Sequence, residues 1–163
     1  MSQTFAGKHV AVTGASRGIG AAIVNAFAQE GASLSLLSRN RAALESQSQK
    51  ALASGASKAH VFEMDVGVQS SVSQAFSEAQ EALGPVDVLV NNAGAVESRP
   101  LARTSQGLWN TMMAVNLNGV FYCIDAVLSA MLERASGRIV NIASTAGLTG
   151  CLLYTSPSPR DTA

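Results

Sequence analysis

Five short apolar runs alternate with longer segments of helical periodicity along the chain. The apolar runs cover residues 8–13, 33–37, 60–64, 86–90 and 138–143. Runs of this length with few polar interruptions are typical of strands that are buried on both faces of a parallel sheet.

Helical periodicity fills the segments between these strands. In the first helix, one face carries apolar and small side chains, namely Ile19, Ala22, Ile23, Ala26 and Phe27. Gly31 is placed to form the left-handed cap of that helix. A polar, alanine-rich helix follows from about Asn40 and is closed by Gly55.

Two further helices are predicted in the second half of the chain. The first covers residues 68–83 and ends at Gly84-Pro85; its buried stripe is Val72, Phe76, Ala79 and Leu83. The second is long and covers residues 105–133; its apolar positions are Leu108, Met112, Leu117, Phe121, Ile124, Leu128 and Met131. Gly137 separates this helix from the last strand.

Regular alternation of strand and helix predicts an α/β fold with a doubly wound parallel sheet. In such sheets, ligands bind beyond the carboxyl ends of the strands, where the strand order reverses. The residues directly after each strand are therefore the candidates for function.

Composition excludes several classes of protein. Lys+Arg and Asp+Glu balance at 11 each, so the chain lacks the positive charge of a nucleic-acid or membrane-surface binder. Two cysteines and two histidines indicate neither a disulfide framework nor a metal site. Residues 1–10 contain no signal-peptide core, and the apolar stretch Gly119–Leu132 carries Asp125 and is short for a membrane span. We therefore expect a soluble, cytoplasmic protein.

A glycine-rich turn joins the first strand to the first helix. Gly14 permits a tight turn, Gly18 lets the backbone approach a pyrophosphate, and Gly20 lets the helix pack closely on the sheet. An ordinary strand-to-helix turn is the alternative, but the strand before and the helix after supply the context that a dinucleotide site requires. The predicted cofactor-binding residues of this turn are Gly14, Ser16, Arg17, Gly18, Ile19 and Gly20.

The end of the second strand favours NADP(H) over NAD(H). An NAD-binding chain usually carries a carboxylate here for the ribose 2′-hydroxyl, whereas residues 37–41 read Leu-Ser-Arg-Asn-Arg. Arg39 and Arg17 are suited to a 2′-phosphate, because a guanidinium pairs well with that group. The alternative is that both are solvated surface arginines, as we expect for Arg41.

Over residues 7 to about 150, the sequence resembles the short-chain dehydrogenase/reductase family. The resemblance is carried by Thr13–Gly20, Asp65-Val66, Asn91-Asn92-Ala93-Gly94, Asn116 and Ile142-Ala143-Ser144. It implies a Rossmann-like NAD(P)-binding domain over residues 1–150, ending after the fifth strand, and a homo-oligomeric parent protein.

The resemblance also implies roles for the residues after the later strands. Asp65 would contact the adenine and Val66 would offer backbone to it, and Asn92, Ala93 and Gly94 would line the cofactor. Asn116 would help to hold a proton-relay water, and Ser144 would hydrogen-bond a substrate carbonyl. Each residue also has an ordinary explanation: a helix cap for Asp65, a turn for the Asn-Asn-Ala-Gly run, a backbone-bonded amide for Asn116 and an unremarkable serine for Ser144.

The chain departs from the family pattern after Ser144. The family's catalytic tyrosine should lie about a dozen residues further on, with a lysine four residues later. Pro157 and Asp161 stand at such positions, Tyr154 has Ser158 in the place of its lysine, and no lysine follows Lys58. The Tyr/Lys dyad is therefore absent from this chain.

An abrupt change of composition at Cys151 accompanies this departure. We interpret residues 151–163 as a non-native segment of translated adapter or vector sequence; a natural tail is the alternative. If the sheet ends at its fifth strand, that strand is an exposed edge. The long helix is then expected to expose an apolar surface that includes Met112, Phe121 and Leu128.

The sequence is compatible with two functions. The first is the N-terminal part of an NADP(H)-dependent oxidoreductase that transfers hydride between the nicotinamide and a small carbonyl or secondary alcohol, with general similarity to reductases of 3-oxoacyl thioesters. This chain itself is expected to be inactive. The second is a non-catalytic dinucleotide-binding module.

Overall fold

The computed structural model describes residues 3–97 and 100–144, and these form one parallel five-stranded sheet covered by helices. The strands are β1 (His9–Thr13), β2 (Ser33–Ser38), β3 (Lys58–Glu63), β4 (Val88–Asn91) and β5 (Arg138–Asn141). The helices are α1 (Gly18–Gln29), α2 (Arg41–Ala53), α3 (Gln69–Leu83), α4 (Gln106–Met113) and α5 (Gly119–Glu133). The strand order is β3-β2-β1-β4-β5, so the predicted fold is confirmed and the order reverses between β1 and β4.

Alternating side chains of the central strands build a separate core on each face of the sheet. Val10 and Val12 of β1 face α1 and α2, whereas Ala11 faces α3 and α5. All residues of β1 and β4 are buried, as their continuous apolar sequences predict.

The predicted buried face of α1 is partly wrong. Ile19 is 64% exposed, and Ile23 and Phe27 are only partly buried at the margin of the core. Ala22 and Ala26, predicted on the same face, are exposed. The buried residues are Gly20, Val24 and Ala28. Apolar spacing indicated the helix correctly, but its contact with the sheet covers a neighbouring face. The stripe predicted for α3 holds for Val72, Phe76 and Ala79, which are buried.

The long helix predicted over residues 105–133 is present as the helical run Gln106–Glu133, but its winding is not regular throughout. Between α4 and α5, the five residues Ala114–Asn118 form a π turn. Directly after it, α5 approaches the chain beyond β3 so closely that a β-carbon on Gly119 would lie 2.9 Å from the Val66 carbonyl oxygen. A wide turn of this kind leaves no signature in apolar periodicity, which is why the sequence predicted one regular helix.

The continuous helical run Gln106–Glu133 has 28 residues, and its most apolar stretch of 18 residues has a mean hydropathy of 1.5, sufficient by length and composition to cross a membrane. However, α5 buries Cys123, Val127 and Met131 against α3 and the sheet. This is the packing of a core helix in a soluble fold.

Strand β5 has four residues, as β4 does, and is more exposed than the other strands. It ends at Asn141 rather than at residue 143, and it is the last strand of the order within the described residues. Val140 and Ile142 are 43% and 41% exposed. On α5 and the turn before it, an outer stripe of Leu117, Phe121, Leu128 and Leu132 is also exposed. Met112, expected in the same surface, is partly buried.

A buried histidine closes the amino end of the sheet. The His9 ring lies 2.7 Å from both the Gly84 carbonyl oxygen and the Ser35 hydroxyl, and only 2% of the residue is exposed. Because a carbonyl only accepts, Nδ1 carries the proton and Nε2 accepts from Ser35. Burial lowers the pKa of His9 below its ordinary value of 6.5, against the opposing effect of the bond to Gly84.

Acid should therefore destabilise the fold through His9. The unfolded chain takes up this proton at a higher pH than the folded chain, so the free energy of unfolding decreases as the pH falls below about 6.5. Urea unfolding at pH 7.5 and 5.5 measures the decrease, which should be smaller in His9→Gln. The exposed His60 supplies the control. An equal decrease in His9→Gln and His60→Gln would contradict this assignment.

The outer stripe of α5 should make the isolated chain self-associate, because exposed apolar side chains at this spacing form one continuous surface. Light scattering across a concentration series should show a mass that rises with concentration, and Phe121→Ser with Leu128→Ser should reduce the rise. A monomeric wild-type chain at high concentration would count against the prediction.

Candidate cofactor site

The carboxyl ends of β1 and β4 meet at the point where the strand order reverses. The glycine turn follows β1, and the loop that begins at Asn92 follows β4. These two segments form the centre of the candidate site, which is where parallel sheets of this order bind ligands.

Backbone geometry explains the glycines of the turn. Gly14 and Gly18 have φ values of 65° and 56°, a region that residues with a β-carbon rarely adopt. A β-carbon on Gly20 would overlap the Gly14 carbonyl and lie 2.6 Å from Nδ2 of Asn92. By contrast, a β-carbon on Gly18 would have no neighbour within 4 Å, so this side of the turn is open. Gly14 and Gly20 therefore serve internal packing, and Gly18 faces free space.

Thr13 and Asn92 lock the turn to β4. The Thr13 hydroxyl accepts from the backbone N–H groups of Asn92 and Ala93, each at 3.0 Å. In return, the Asn92 side-chain amide donates to the carbonyls of Thr13 at 3.0 Å and Gly14 at 3.3 Å. The Asn92 side chain thus points at the glycine turn. Thr13 begins the glycine-rich motif but was not among the predicted cofactor-binding residues.

The two predicted phosphate-pairing arginines remain available. Arg17 directly precedes α1 in an extended conformation, and both Arg17 and Arg39 are exposed. Within the described residues neither forms a hydrogen bond or an ion pair through its side chain, whereas Arg41 pairs with Glu45 at 3.1 Å. Arg41 is therefore the solvated surface arginine that we expected. Ser16 is partly exposed beside Arg17, and Ile19 is exposed in the first turn of α1.

Asp65 and Val66 follow β3 as predicted. Oδ1 of Asp65 accepts from the Gly67 backbone N–H at 2.9 Å and so closes a turn before α3. The capping position of α3 is occupied by Val68, so Asp65 is not the helix cap that the alternative proposed. Val66 is 9% exposed and is held beneath α5.

Asn116 lies in the π turn and clamps the loop after β4. Its Oδ1 accepts from the Ala95 N–H at 3.0 Å, and its Nδ2 donates to the Ala95 carbonyl at 2.8 Å. A β-carbon on Gly94 would lie 3.3 Å from the same Oδ1. The backbone-bonded amide considered as the alternative is thus the observed arrangement. Because the side chain is engaged, the water-holding role of Asn116 stays a prediction.

Ser144 lies three residues beyond the end of β5 and is exposed. The strand end itself is fixed by β4, since the Ile142 N–H donates to the Asn91 carbonyl at 2.8 Å and the Asn91 side chain donates to Asn141 at 2.9 Å. Residues 145–163, which include Tyr154, Pro157 and Asp161, lie outside the described residues.

Neither a reactive thiol nor a metal centre is evident in the described part of the chain. Burial raises the pKa of Cys123 to about 12, so this thiol stays protonated beneath the site. Residues 3–97 and 100–144 contain no group of three or more side chains suited to a metal ion.

Comparison with known proteins gives consistent matches. A sequence model of the short chain dehydrogenases matches residues 8–156. The chain is 40% identical over 147 residues to the ketoacyl reductase HetN of Nostoc sp., covering 90% of this chain and 51% of that protein. It is 38% identical over 141 residues to gluconate 5-dehydrogenase of Gluconobacter oxydans, covering 86% and 55%.

Solved structures that superpose on this chain indicate the same family. A metagenomic short-chain oxidoreductase in complex with NADP superposes with a TM-score of 0.87 at 32% identity, covering 92% of this chain and 68% of that chain. An actinorhodin polyketide ketoreductase with NADPH gives 0.85 at 35% identity, covering 93% and 58%. The chain spans about half the length of the curated relatives it matches. With a family match over most of its residues and the glycine turn in the expected place, this chain belongs to the short-chain dehydrogenase family of oxidoreductases.

Proposed function

We propose that this chain is the cofactor-binding portion of an NADP(H)-dependent oxidoreductase that acts on a small carbonyl or secondary alcohol. The observation that carries the proposal is the glycine turn, held against β4 by Thr13 and Asn92 with an open side at Gly18 and two unpaired arginines nearby. NADP and NADPH in two similar solved structures support it.

The diphosphate would lie over the first turn of α1. The backbone N–H groups of this first turn have no carbonyl acceptors within the helix, and the positive end of the helix dipole lies at this terminus. Because Gly18 has open space where a side chain would stand, a phosphate can approach the main chain there. Gly14, Ser16 and Ile19 complete this segment.

Arg17 and Arg39 would hold the 2′-phosphate. The segment from Leu37 to Arg41 carries no carboxylate, and Asn40 uses its side-chain oxygen to cap α2 by accepting from Ala43 at 3.0 Å. No acidic group on this segment therefore competes with a phosphate for the two guanidinium groups. The chemistry of the donors fits NADP(H) better than NAD(H).

Asp65 and Val66 would hold the adenine. Oδ1 of Asp65 is engaged with Gly67, while Oδ2 has no hydrogen-bond partner in the described structure and is free to accept from the exocyclic amino group. The backbone of Val66 would contact the same adenine.

Asn92, Ala93 and Gly94 would line the cofactor, with Asn116 keeping this loop in place through Ala95. The bound nicotinamide supplies the hydride. In our proposal the Ser144 hydroxyl donates to the substrate oxygen and orients the carbonyl. Because residues 145–163 offer no Tyr/Lys dyad at the family spacing, we propose that this chain is inactive without a complete C-terminal part.

The substrate class is proposed from the relatives. A ketoacyl reductase and a polyketide ketoreductase favour a 3-oxoacyl thioester, and a gluconate dehydrogenase extends the class to secondary alcohols of sugar acids. We further propose a homo-oligomeric, cytoplasmic parent enzyme.

A non-catalytic dinucleotide-binding module is the second candidate, and the missing dyad favours it. The coding sequence downstream of residue 150 separates the two candidates. An uninterrupted frame with a tyrosine and, four residues later, a lysine establishes the enzyme, whereas a genuine stop codon after Ala163 establishes the module.

Arg39→Ala should weaken NADPH binding by at least about tenfold, since a charge-assisted hydrogen bond to phosphate is lost, and should leave NADH binding unchanged. Calorimetric titration with both nucleotides measures the effect. Arg41→Ala is the matched control, because Arg41 is paired with Glu45. Tighter binding of NADH than of NADPH by the wild-type chain would overturn the cofactor assignment.

Gly20→Ala should abolish nucleotide binding, because the added methyl group would overlap the Gly14 carbonyl and force the turn away from β4. Gly7→Ala is the comparison, because Gly7 precedes β1 at the opposite end of the sheet. Its added methyl group would meet no atom within 4 Å and carries only backbone strain of about 1–2 kcal/mol. Fluorescence titration with NADPH, with circular dichroism to check folding, separates the two. If both variants lost affinity for NADPH equally, steric overlap at Gly20 would not be the cause of the loss.

A further inference from the structure

Asn91 is an unusual residue for its position in the sheet. It ends β4 after three aliphatic residues, on the sheet face covered by α5, and is only 4% exposed. Its Oδ1 is buried without a hydrogen-bond partner in the described structure. The adjoining void, lined by Val115, Gly119 and Cys123 among others, has no space for a water molecule. A half-satisfied amide here is less favourable than an aliphatic side chain, so stability alone does not account for Asn91.

Two groups of Asn91 hold the end of β5. Its Nδ2 donates to Oδ1 of Asn141 at 2.9 Å, and its carbonyl accepts from the Ile142 N–H at 2.8 Å. Asn91 and Asn141 are also register partners in the last rung between the two strands. Beyond this rung the chain leaves the sheet and reaches Ser144. Asn91 therefore determines where β5 ends.

Asn92, the next residue, fixes the segment on the other side of β4. Asn92 donates to the carbonyls of Thr13 and Gly14 and so fixes the glycine turn. Two consecutive amides at the end of one strand thus tie down two different segments: the cofactor turn through Asn92 and the end of β5 through Asn91.

We propose that Asn91 and Asn141 form a positioning pair that sets the place of Ser144 relative to the cofactor cleft. The inference deepens the proposed function, because it relies on the role of Ser144 toward the substrate oxygen. Asn91 and Asn141 contact neither cofactor nor substrate in this arrangement; they act through the backbone of residues 142–144. Their replacement should therefore affect the substrate step and spare nucleotide binding.

Asn141 is the residue to change, because it is exposed and its replacement does not disturb the core. Asn141→Leu removes the acceptor, whereas Asn141→Asp keeps an acceptor oxygen at the same place. In this chain, amide exchange at Ile142, whose N–H donates to the Asn91 carbonyl, should become roughly tenfold faster in Asn141→Leu and stay near the wild-type rate in Asn141→Asp. Exchange at Val10 and Val12 of β1 reports on global unfolding and should not change, nor should the Kd for NADPH.

The full-length enzyme from the recovered gene supplies the functional measurement. Asn141→Leu should lower kcat/KM for carbonyl reduction roughly tenfold at an unchanged Kd for NADPH, and Asn141→Asp should restore most of it. Unchanged exchange at Ile142 in Asn141→Leu would overturn the positioning role, and so would a loss of affinity for NADPH as large as the loss of kcat/KM. Absence of NADPH binding by the wild-type chain would instead overturn the proposed function, and the exchange data would still decide whether the pair fixes the end of β5.

Discussion

The close approach of β1 and β4 at their carboxyl ends is the constraint on which the rest of the site depends. It brings the Gly14 carbonyl and the Asn92 amide so near to Gly20 that no side chain fits between them. This contact places the start of α1, with its free N–H groups, directly above the point where the strand order reverses. The remaining candidate residues take their positions from segments that are packed against this junction.

Much of the architecture was predictable because strands that are buried on both faces of the sheet have short, nearly continuous apolar sequences. A strand such as β4, with three consecutive aliphatic residues and all four of its residues buried, is recognised from its sequence alone. The glycine turn was equally clear, since positive φ at Gly14 and the tight packing at Gly20 admit few other residues. Gly31, with a φ of 78°, confirms the expected end of α1 for the same reason.

The features that sequence reasoning missed depend on contacts between distant segments. Ile19 was assigned to the core by periodicity, but tertiary packing covers Val24 and Ala28 and leaves Ile19 exposed. Nothing local in the sequence shows that the Asn116 amide reaches Ala95, 21 residues away, or that Asn91 pairs with Asn141, 50 residues away. These are long-range hydrogen bonds, and an asparagine in isolation is equally compatible with a turn or a surface position.

The π turn before α5 makes the site sensitive to the length of its helix. A π turn closes i→i+5 hydrogen bonds and so holds about one residue more than an α-helical turn. Deleting a single residue from Ala114–Asn118 would restore regular helical winding and remove the bulge that presents the Asn116 amide to Ala95, and the loop after β4 would lose its anchor. Insertions and deletions in this stretch should therefore be tolerated far less well than substitutions, even though none of its residues is buried in the core.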